Sequence, residues 1–479
     1  MELFKMNKFA SLVLLLAVLA SSPVEAQSRL QTDFSAEDFQ ARREKVYDVI
    51  GDNLAIIQGA ADVQGFVVFR QSNTFYYLSG LVIPAAYMVL DGKQRKTTLY
   101  LTHRDPIQEV NGGEKLSYEG RDLVMKMTGV DDVRPLENMA EDLSWGVSYS
   151  AHPALYTPHS PDEKYLQSRD EMLAGFGRRV SDPWDGRPSK AGHFINLLKL
   201  RFPQYEIRDL SPALDEMRTI KDEKEIALIR TASQLAGLGI MEAMRSTEPD
   251  VIEYQLEAAA NFIFKANGAR GLSYNAIVGG GKNAWFGHYS ENSDALVAGV
   301  LLLMDLAPDY HYYTSDLTRM WPVNGKYSKD QRDLYGFVIE FHKAFIRRIR
   351  PGITPTELVD EVARDMRKVL DGMTFSKDIY REACEDALEF YGHFQHPVGM
   401  SVHDVGRLWG KTLQPGMVFS IDPMIWVRPE ELYIRMEDIV VVTEDGVEKL
   451  SANLPIEMDD IERIIREDGI VQARPAAFD

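Results

Sequence analysis

The sequence predicts a mixed α/β (α+β) protein of two domains. An N-terminal α/β domain spans roughly residues 30–215, and a second domain, built from two similar halves, spans 219–470. Three observations carry this reading. The chain has 479 residues, enough for two ordinary domains, with 45% apolar and 26% charged residues as in a soluble globular protein. Up to about residue 215, short apolar runs mix with stretches of helical periodicity. From residue 219 the order two helices, then strands, occurs twice, which predicts a pseudo-twofold domain.

In order, Met1–Gln27 stands apart. Lys5 and Lys8 precede the apolar run Phe9–Ala20, and Val24-Glu25-Ala26 closes it with small residues. This is the layout of a secretory signal peptide, residues 1–26, with cleavage expected after Ala26. The run is too short to span a bilayer. Ser35–Gly51 then reads as a helix with Phe39, Val46 and Ile50 on one stripe. Strands are expected at Leu54–Gln58, Gly65–Phe69, Phe75–Leu78, Ala86–Leu90 and Thr97–Leu101, with Asp91-Gly92 as a hairpin turn. Helices follow at Met172–Val180 and Lys190–Leu200. No catalytic cluster stands out in this half, where His103, His152, His159 and His193 are scattered.

Thr219-Ile220-Lys221-Asp222 reads as a capping-box start for a helix bearing Ile226, Ile229, Ala236 and Ile240. A second helix is expected from Thr247 to just before Gly268, and strands then run to Pro322. Ser328 with Gln331 opens the third helix, which stops at Arg350-Pro351-Gly352. Thr354-Pro355 opens the fourth, which ends near Gly372. After a helical stretch over Lys377–Tyr391, strands are expected at His396–Val405, Met417–Val427 and Leu432–Thr443.

Composition narrows the function classes. The net charge of −19 is unchanged by loss of the leader, and such a surface repels nucleic acid. No later stretch approaches about 18 apolar residues, so no membrane association is expected after cleavage. The single cysteine, Cys384, allows no intrachain disulfide and reads as buried packing. A leader without disulfides suits a periplasmic or secreted protein.

The most informative stretch is Leu301–Arg319, LLLMDLAPDYHYYTSDLTR. It reads as two strands joined by a turn at Ala307-Pro308-Asp309, with Asp305 and Asp316 on facing strands. Two turn-flanking aspartates would be the plain alternative. Further along, His396 and His403 flank PVGMSV, Asp422 lies in MVFSIDPMIW, and Tyr433, Arg435 and Glu437 share a face of LYIRMEDIVVV. Each has its own ordinary reading, such as an acid paired with Arg435. Together, four carboxylates in apolar strands of one domain call for cations. Three or four carboxylates with one or two imidazoles and no thiolate suit two divalent ions, Mn²⁺ foremost, with Zn²⁺ or Co²⁺ as alternatives.

At this point the chain resembles a known family, the pita-bread metallopeptidases of Xaa-Pro aminopeptidase, prolidase and methionine aminopeptidase type. The matching motifs are SYNAIVGGGKNAWFGHY, MDLAPDYHYYTSDLTR, HPVGMSVHDVG, LQPGMVFSIDP and YIRMEDIVVVTEDG, and FVVFRQSNTFYYLSG resembles the N-terminal domain of aminopeptidase P. The resemblance implies a creatinase-like N-terminal domain and a pita-bread catalytic domain. It implies that Asp305, Asp316, His396, Asp422 and Glu437 hold the metals. Asp422 would also be the proton acceptor, His288 and His403 would contact substrate, and Arg435 would orient the cluster. The implied reaction is cleavage of the N-terminal Xaa-Pro bond of a peptide by a metal-bridging hydroxide. Relatives of this type are commonly dimers or tetramers.

Three departures from the family pattern stand out. Asp422 replaces the usual glutamate and is shorter by about 1.5 Å. The histidine usual four residues before His396 is Gly392 here, with His393 one step off. Leu306-Ala307-Pro308 replaces a small-residue turn. The first departure leaves open an impaired, peptide-binding protein on the same fold. A metal-independent hydrolase of creatinase type would require lost ligands, and here all are present.

Overall fold

The computed structural model describes residues 31–473 other than 64, 66, 151 and 152; the expected leader and His152 lie outside the described residues. The N-terminal region is a six-stranded mixed sheet. Its strands are β1 (Leu54–Gln58), β2 (Tyr87–Asp91), β3 (Lys96–Leu101), β4 (Asp132–Pro135), β5 (Ala154–Thr157) and β6 (Glu206–Asp209), in the order β4-β3-β2-β1-β5-β6. The Asp91-Gly92 signal does form the β2–β3 hairpin, with Asp91 opposite Lys96. The helix Ala36–Ile50 starts at a capping box between Ser35 and Asp38 and buries Phe39, Val46 and Ile50.

Two strand expectations fail here. Phe75–Leu78 lies in the helix Asn73–Ser79, capped by Ser72 and ended by Gly80 in the left-handed region (φ 66°). All seven of its residues are buried, so the segment has no polar face and mimics a buried strand. Residues 67–69 are loop, with Val67 and Val68 exposed.

The second domain places two helix pairs beside its strands. The first pair is Glu223–Arg245 with Glu253–Ala266, and the second is Lys329–Arg348 with Pro355–Asp371. The first helix is capped by Asp222 boxed with Glu225, while Thr219 closes the preceding helix Ser211–Thr219. The second starts at Glu253 rather than Thr247. The Ser328 and Thr354 caps stand as read. Cys384 is buried in the helix Asp378–Leu388.

Strands β7 (Ile277–Gly280), β8 (Leu301–Asp305) and β9 (Thr318–Pro322) form one antiparallel sheet. The other half contributes β10 (Phe394–Pro397), β11 (Val418–Ile421), β12 (Met424–Val427), β13 (Leu432–Arg435), β14 (Asp438–Val442) and β15 (Val447–Lys449). Of these, β10-β11-β14-β15 form one sheet and β12-β13 a separate ribbon.

Several long strands of the sequence reading break, and the breaks fall at the acids. The hairpin pairs Asp305 with Thr318, but residues 306–317 form a loop, so Asp316 precedes β9 instead of lying within it. Met417–Val427 breaks at Asp422-Pro423, where proline has no N–H for a ladder. Leu432–Thr443 breaks at Met436-Glu437, so Glu437 lies beyond the strand carrying Tyr433 and Arg435. The expected strand over His396–Val405 ends at Pro397.

The 306–317 loop reaches the N-terminal region. Tyr312 stacks on Tyr76 with centroids 3.7 Å apart, and Asp309 pairs with Arg70 at 2.9 Å.

Candidate metal centre

Strand ends converge on one place. The β11–β14 ladder ends with Ile421 opposite Asp438, so Asp422 and Glu437 both lie just beyond it. The β8–β9 ladder ends at Asp305 opposite Thr318. Thr318 and Glu437 exchange backbone hydrogen bonds of 3.2 and 3.1 Å, which ties the two sheets together at their ends. Asp316 precedes Thr318 by two residues, and His396 arrives on β10, paired to β11.

Asp305, Asp316, His396, Asp422 and Glu437 line one cavity of about 330 Å³, together with Tyr274, His288, His403 and Arg435. All four carboxylate residues are buried. Donor atoms of Asp316, His396 and Glu437 lie within 4.8 Å of one another. The Tyr274 hydroxyl lies 2.7 Å from Asp305 Oδ1 and 2.6 Å from Asp316 Oδ1, so it can donate to either acid. Among the described residues lining the cavity, Arg435 is the one permanent cation. It contacts Asp305 directly, Asp422 at 3.4 Å and Glu437 at 3.8 Å.

The electrostatics follow. Burial, then the Glu437 and Asp305 charges, holds the Asp316 carboxyl well above the usual carboxylate range. Burial and the Glu437 charge do the same to Asp422. Burial and the Asp305 charge push Glu437 up to about 7. One guanidinium does not balance four buried acids. His396 is driven down to about 3, by burial first and then by the neighbouring His403 ring, and is neutral. Its Nδ1 lies 3.2 Å from the Pro397 carbonyl oxygen, which can only accept, so Nδ1 carries the proton. The unprotonated Nε2 lies 3.5 Å from Asp316 Oδ2.

These residues fit divalent cations. The set is oxygen-rich with one bare imidazole nitrogen, its charge is under-compensated, and the buried Asp422 Oδ1 has no protein hydrogen-bond partner. The shorter acid at 422 lines the same cavity, outside the group of three whose donor atoms lie within 4.8 Å, and Gln395 Nε2 lies 3.5 Å from its Oδ2.

His288 and His403 stand in the cavity wall with ring centroids 6.4 Å apart. His393 is fully buried, with Nε2 donating to the Ala387 carbonyl (2.8 Å) and Nδ1 accepting from the Met424 N–H (3.2 Å). It is a satisfied core group and does not replace the family histidine. A β-carbon at Gly392 would lie 2.2 Å from Phe390 Cζ, so the Phe390 ring fills that space.

Sequence reasoning missed Tyr274, although it lies in a quoted motif. It also missed the N-terminal contribution: Leu166 and Glu171 line the cavity. Ser168 Oγ accepts from the His403 N–H at 3.1 Å, and Asp170 Oδ2 lies 2.7 Å from His403 Nδ1. Nothing in the local pattern marks these residues, because their meaning comes from a contact more than 200 positions away.

The chain is similar to known proteins over most of its length. The family model for metallopeptidase family M24 matches residues 227–444, and that for the aminopeptidase P N-terminal domain matches residues 39–156. The chain is 30% identical over 457 residues to the Xaa-Pro aminopeptidase of Escherichia coli (strain K12), covering 91% of this chain and 98% of that protein. It is 32% identical over 450 residues to the Xaa-Pro aminopeptidase of Haemophilus influenzae, covering 90% and 97%. Among solved structures it is similar to proline aminopeptidase P II from Yersinia pestis, at 29% identity and a TM-score of 0.73 over 90% of this chain and 99% of that one. Aminopeptidase P from E. coli in its low-pH form gives 28% identity and the same TM-score over 91% and 99%. Full-length similarity and a site of this composition agree: the chain belongs to the Xaa-Pro aminopeptidase family of M24 metallopeptidases and is a hydrolase.

Proposed function

We propose that this protein removes the N-terminal residue from peptides whose second residue is proline. In this reading it uses two divalent cations held by Asp305, Asp316, His396, Asp422 and Glu437, with Mn²⁺ favoured by the oxygen-rich set. The observation that carries it is that these five residues, from distant strand ends, line one under-neutralised cavity, with donor atoms of Asp316, His396 and Glu437 within 4.8 Å of one another. Cations bound there would lower the pKa of a water and polarise the scissile carbonyl.

The chain's own residues do the rest. Arg435 and Tyr274 hold the acids in place between turnovers. Asp422, through the unpartnered Oδ1, takes the proton of the attacking water. His288 and His403 hold the peptide, and His288 steadies the oxygen that gains negative charge. The free substrate amine is received by the acid-rich wall. The leader-like Met1–Ala26 supports action in the periplasm or outside the cell, and assembly into dimers or tetramers is expected by analogy with the family.

The test is hydrolysis of Gly-Pro, Ala-Pro, Arg-Pro-Pro and Met-Ala-Ser, with and without Mn²⁺, by wild type and Asp422→Glu. Metal-dependent cleavage confined to the proline peptides is expected, with kcat/KM about tenfold or more lower in the glutamate variant because a longer acid misplaces the acceptor. Cleavage of Met-Ala-Ser alone would rule out the Xaa-Pro reading. Activity only in the glutamate variant would make the natural protein a peptide binder.

A further inference from the structure

We infer that Asp170 is a positioning residue for His403, and that the turn Lys164–Glu171 is a built part of the active-site wall. The inference rests on the peptidase reading above. This turn falls between the two family matches, 39–156 and 227–444, so neither assigns it a role. It is fixed from several directions. Lys164 and Gln167 pair through their backbones (3.2 and 3.0 Å), and Arg169 binds Glu163 at 3.0 Å and Asp215 at 2.6 Å. Ser168, which is buried, opens the helix Arg169–Val180 in a capping box with Glu171.

From that base two groups, separated by one residue in the turn, grip His403. Ser168 Oγ takes the backbone N–H (3.1 Å), and Asp170 Oδ2 faces ring Nδ1 (2.7 Å). An ionised carboxylate can only accept, so Nδ1 carries the proton and Nε2 is left for the cavity. The ring stands 4.2 Å, centroid to centroid, from that of His396. Without Asp170, the imidazole would have two tautomers and a flipped orientation open to it; with Asp170 it has one. The Asp170 side chain is 60% exposed, so replacing it removes the orienting bond without opening the core.

The experiment uses the full chain loaded with diamagnetic Zn²⁺ and labelled with ¹⁵N-histidine, as wild type, Asp170→Ala and Asp170→Asn, with His403→Gln to assign the signal. Two-bond ¹⁵N–¹H spectra report the tautomer, and steady-state kinetics on Arg-Pro-Pro report kcat and KM. We expect a Nδ1-protonated His403 in wild type and loss of that single tautomer in the alanine variant. There kcat should fall about ten- to a hundredfold at nearly constant KM and unchanged thermal midpoint. Asparagine, which keeps an acceptor oxygen, should restore most of both readouts. An unchanged tautomer or an unchanged kcat in Asp170→Ala overturns the inference, as does a fall in kcat that only tracks a lower thermal midpoint. If wild type cleaves no proline peptide while the tautomer still depends on Asp170, the peptidase reading fails and the positioning role stands.

Discussion

At the scale of single residues, the site stores its charge imbalance as bound protons. The carboxyls of Asp316, Asp422 and Glu437 are all held above their ordinary range. A divalent cation must displace those protons, so its uptake should release about one or more protons near pH 6 and tighten as pH rises. Calorimetry in two buffers of different ionisation enthalpy measures this; uptake with no proton release would contradict it. The sign for stability follows. A carboxyl raised on folding binds its proton more tightly in the native state, so the cation-free protein should lose stability as pH climbs from about 4.5 through about 7. The four acids among the proposed donors stood out in the sequence, because acids in apolar runs are expensive and therefore conspicuous, whereas the part of His396 came from the family resemblance. Tyr274 did not stand out, since a tyrosine among apolar residues looks like core, and Asp170 looks like any first-turn acid of a helix.

At the scale of elements, the segment carrying His288 depends on one buried acid. Glu253, the first residue of its helix, accepts from Gly280 N (2.8 Å), Asn283 Nδ2 (3.0 Å), the Tyr289 hydroxyl (2.9 Å) and Asp294 N (3.1 Å). Its oxygens thus close residues 280–294 into a fixed loop. Glu253→Ala would remove the shared acceptor of four part-buried donors, at a cost of about 2 kcal/mol. Amide exchange across 281–294 should speed up about a hundredfold, kcat should fall, and the rest of the fold should keep its protection. Elements with explicit caps, such as those begun by Ser35, Ser328 and Thr354, were readable to the residue. Phe75–Leu78 was not, because a short helix buried on every side has lost the period that distinguishes it. The breaks at Asp422-Pro423 and Met436-Glu437 were missed for a related reason: continuous apolar sequence hides a change of sheet.

At the scale of the molecule, the N-terminal region and the catalytic domain share a buried ionic network. Arg218 contacts Asp404 at 2.6 Å and Glu163 at 3.3 Å, and Lys221 reaches Asp404 at 3.2 Å, all with side chains at most 2% exposed. Arg218→Met would leave two buried acids short of a cation, at a cost of about 3–5 kcal/mol, read as a lower urea midpoint at pH 7. Burial raises the Asp404 carboxyl, but the Arg218 and Lys221 charges outweigh this and hold it below its ordinary 3.8. Its stabilisation is therefore present above pH 3.8 and lost as pH falls through the depressed folded value. Asp404→Asn should be weaker at pH 7 and flatter below pH 4. The two-domain order was plain in the sequence, whereas this seam was not, because it joins residues with no shared local pattern.

The backbone exchange between Thr318 and Glu437 also sets a timetable. Asp305 and Asp316 emerge from the ribosome long before His396, Asp422 and Glu437, and the two sheets meet only after the later half exists. The complete donor set therefore exists only after the second half has been made. A chain truncated before residue 437 would lose a donor and, with β14, the strand that pairs with β11 and ends beside Asp422.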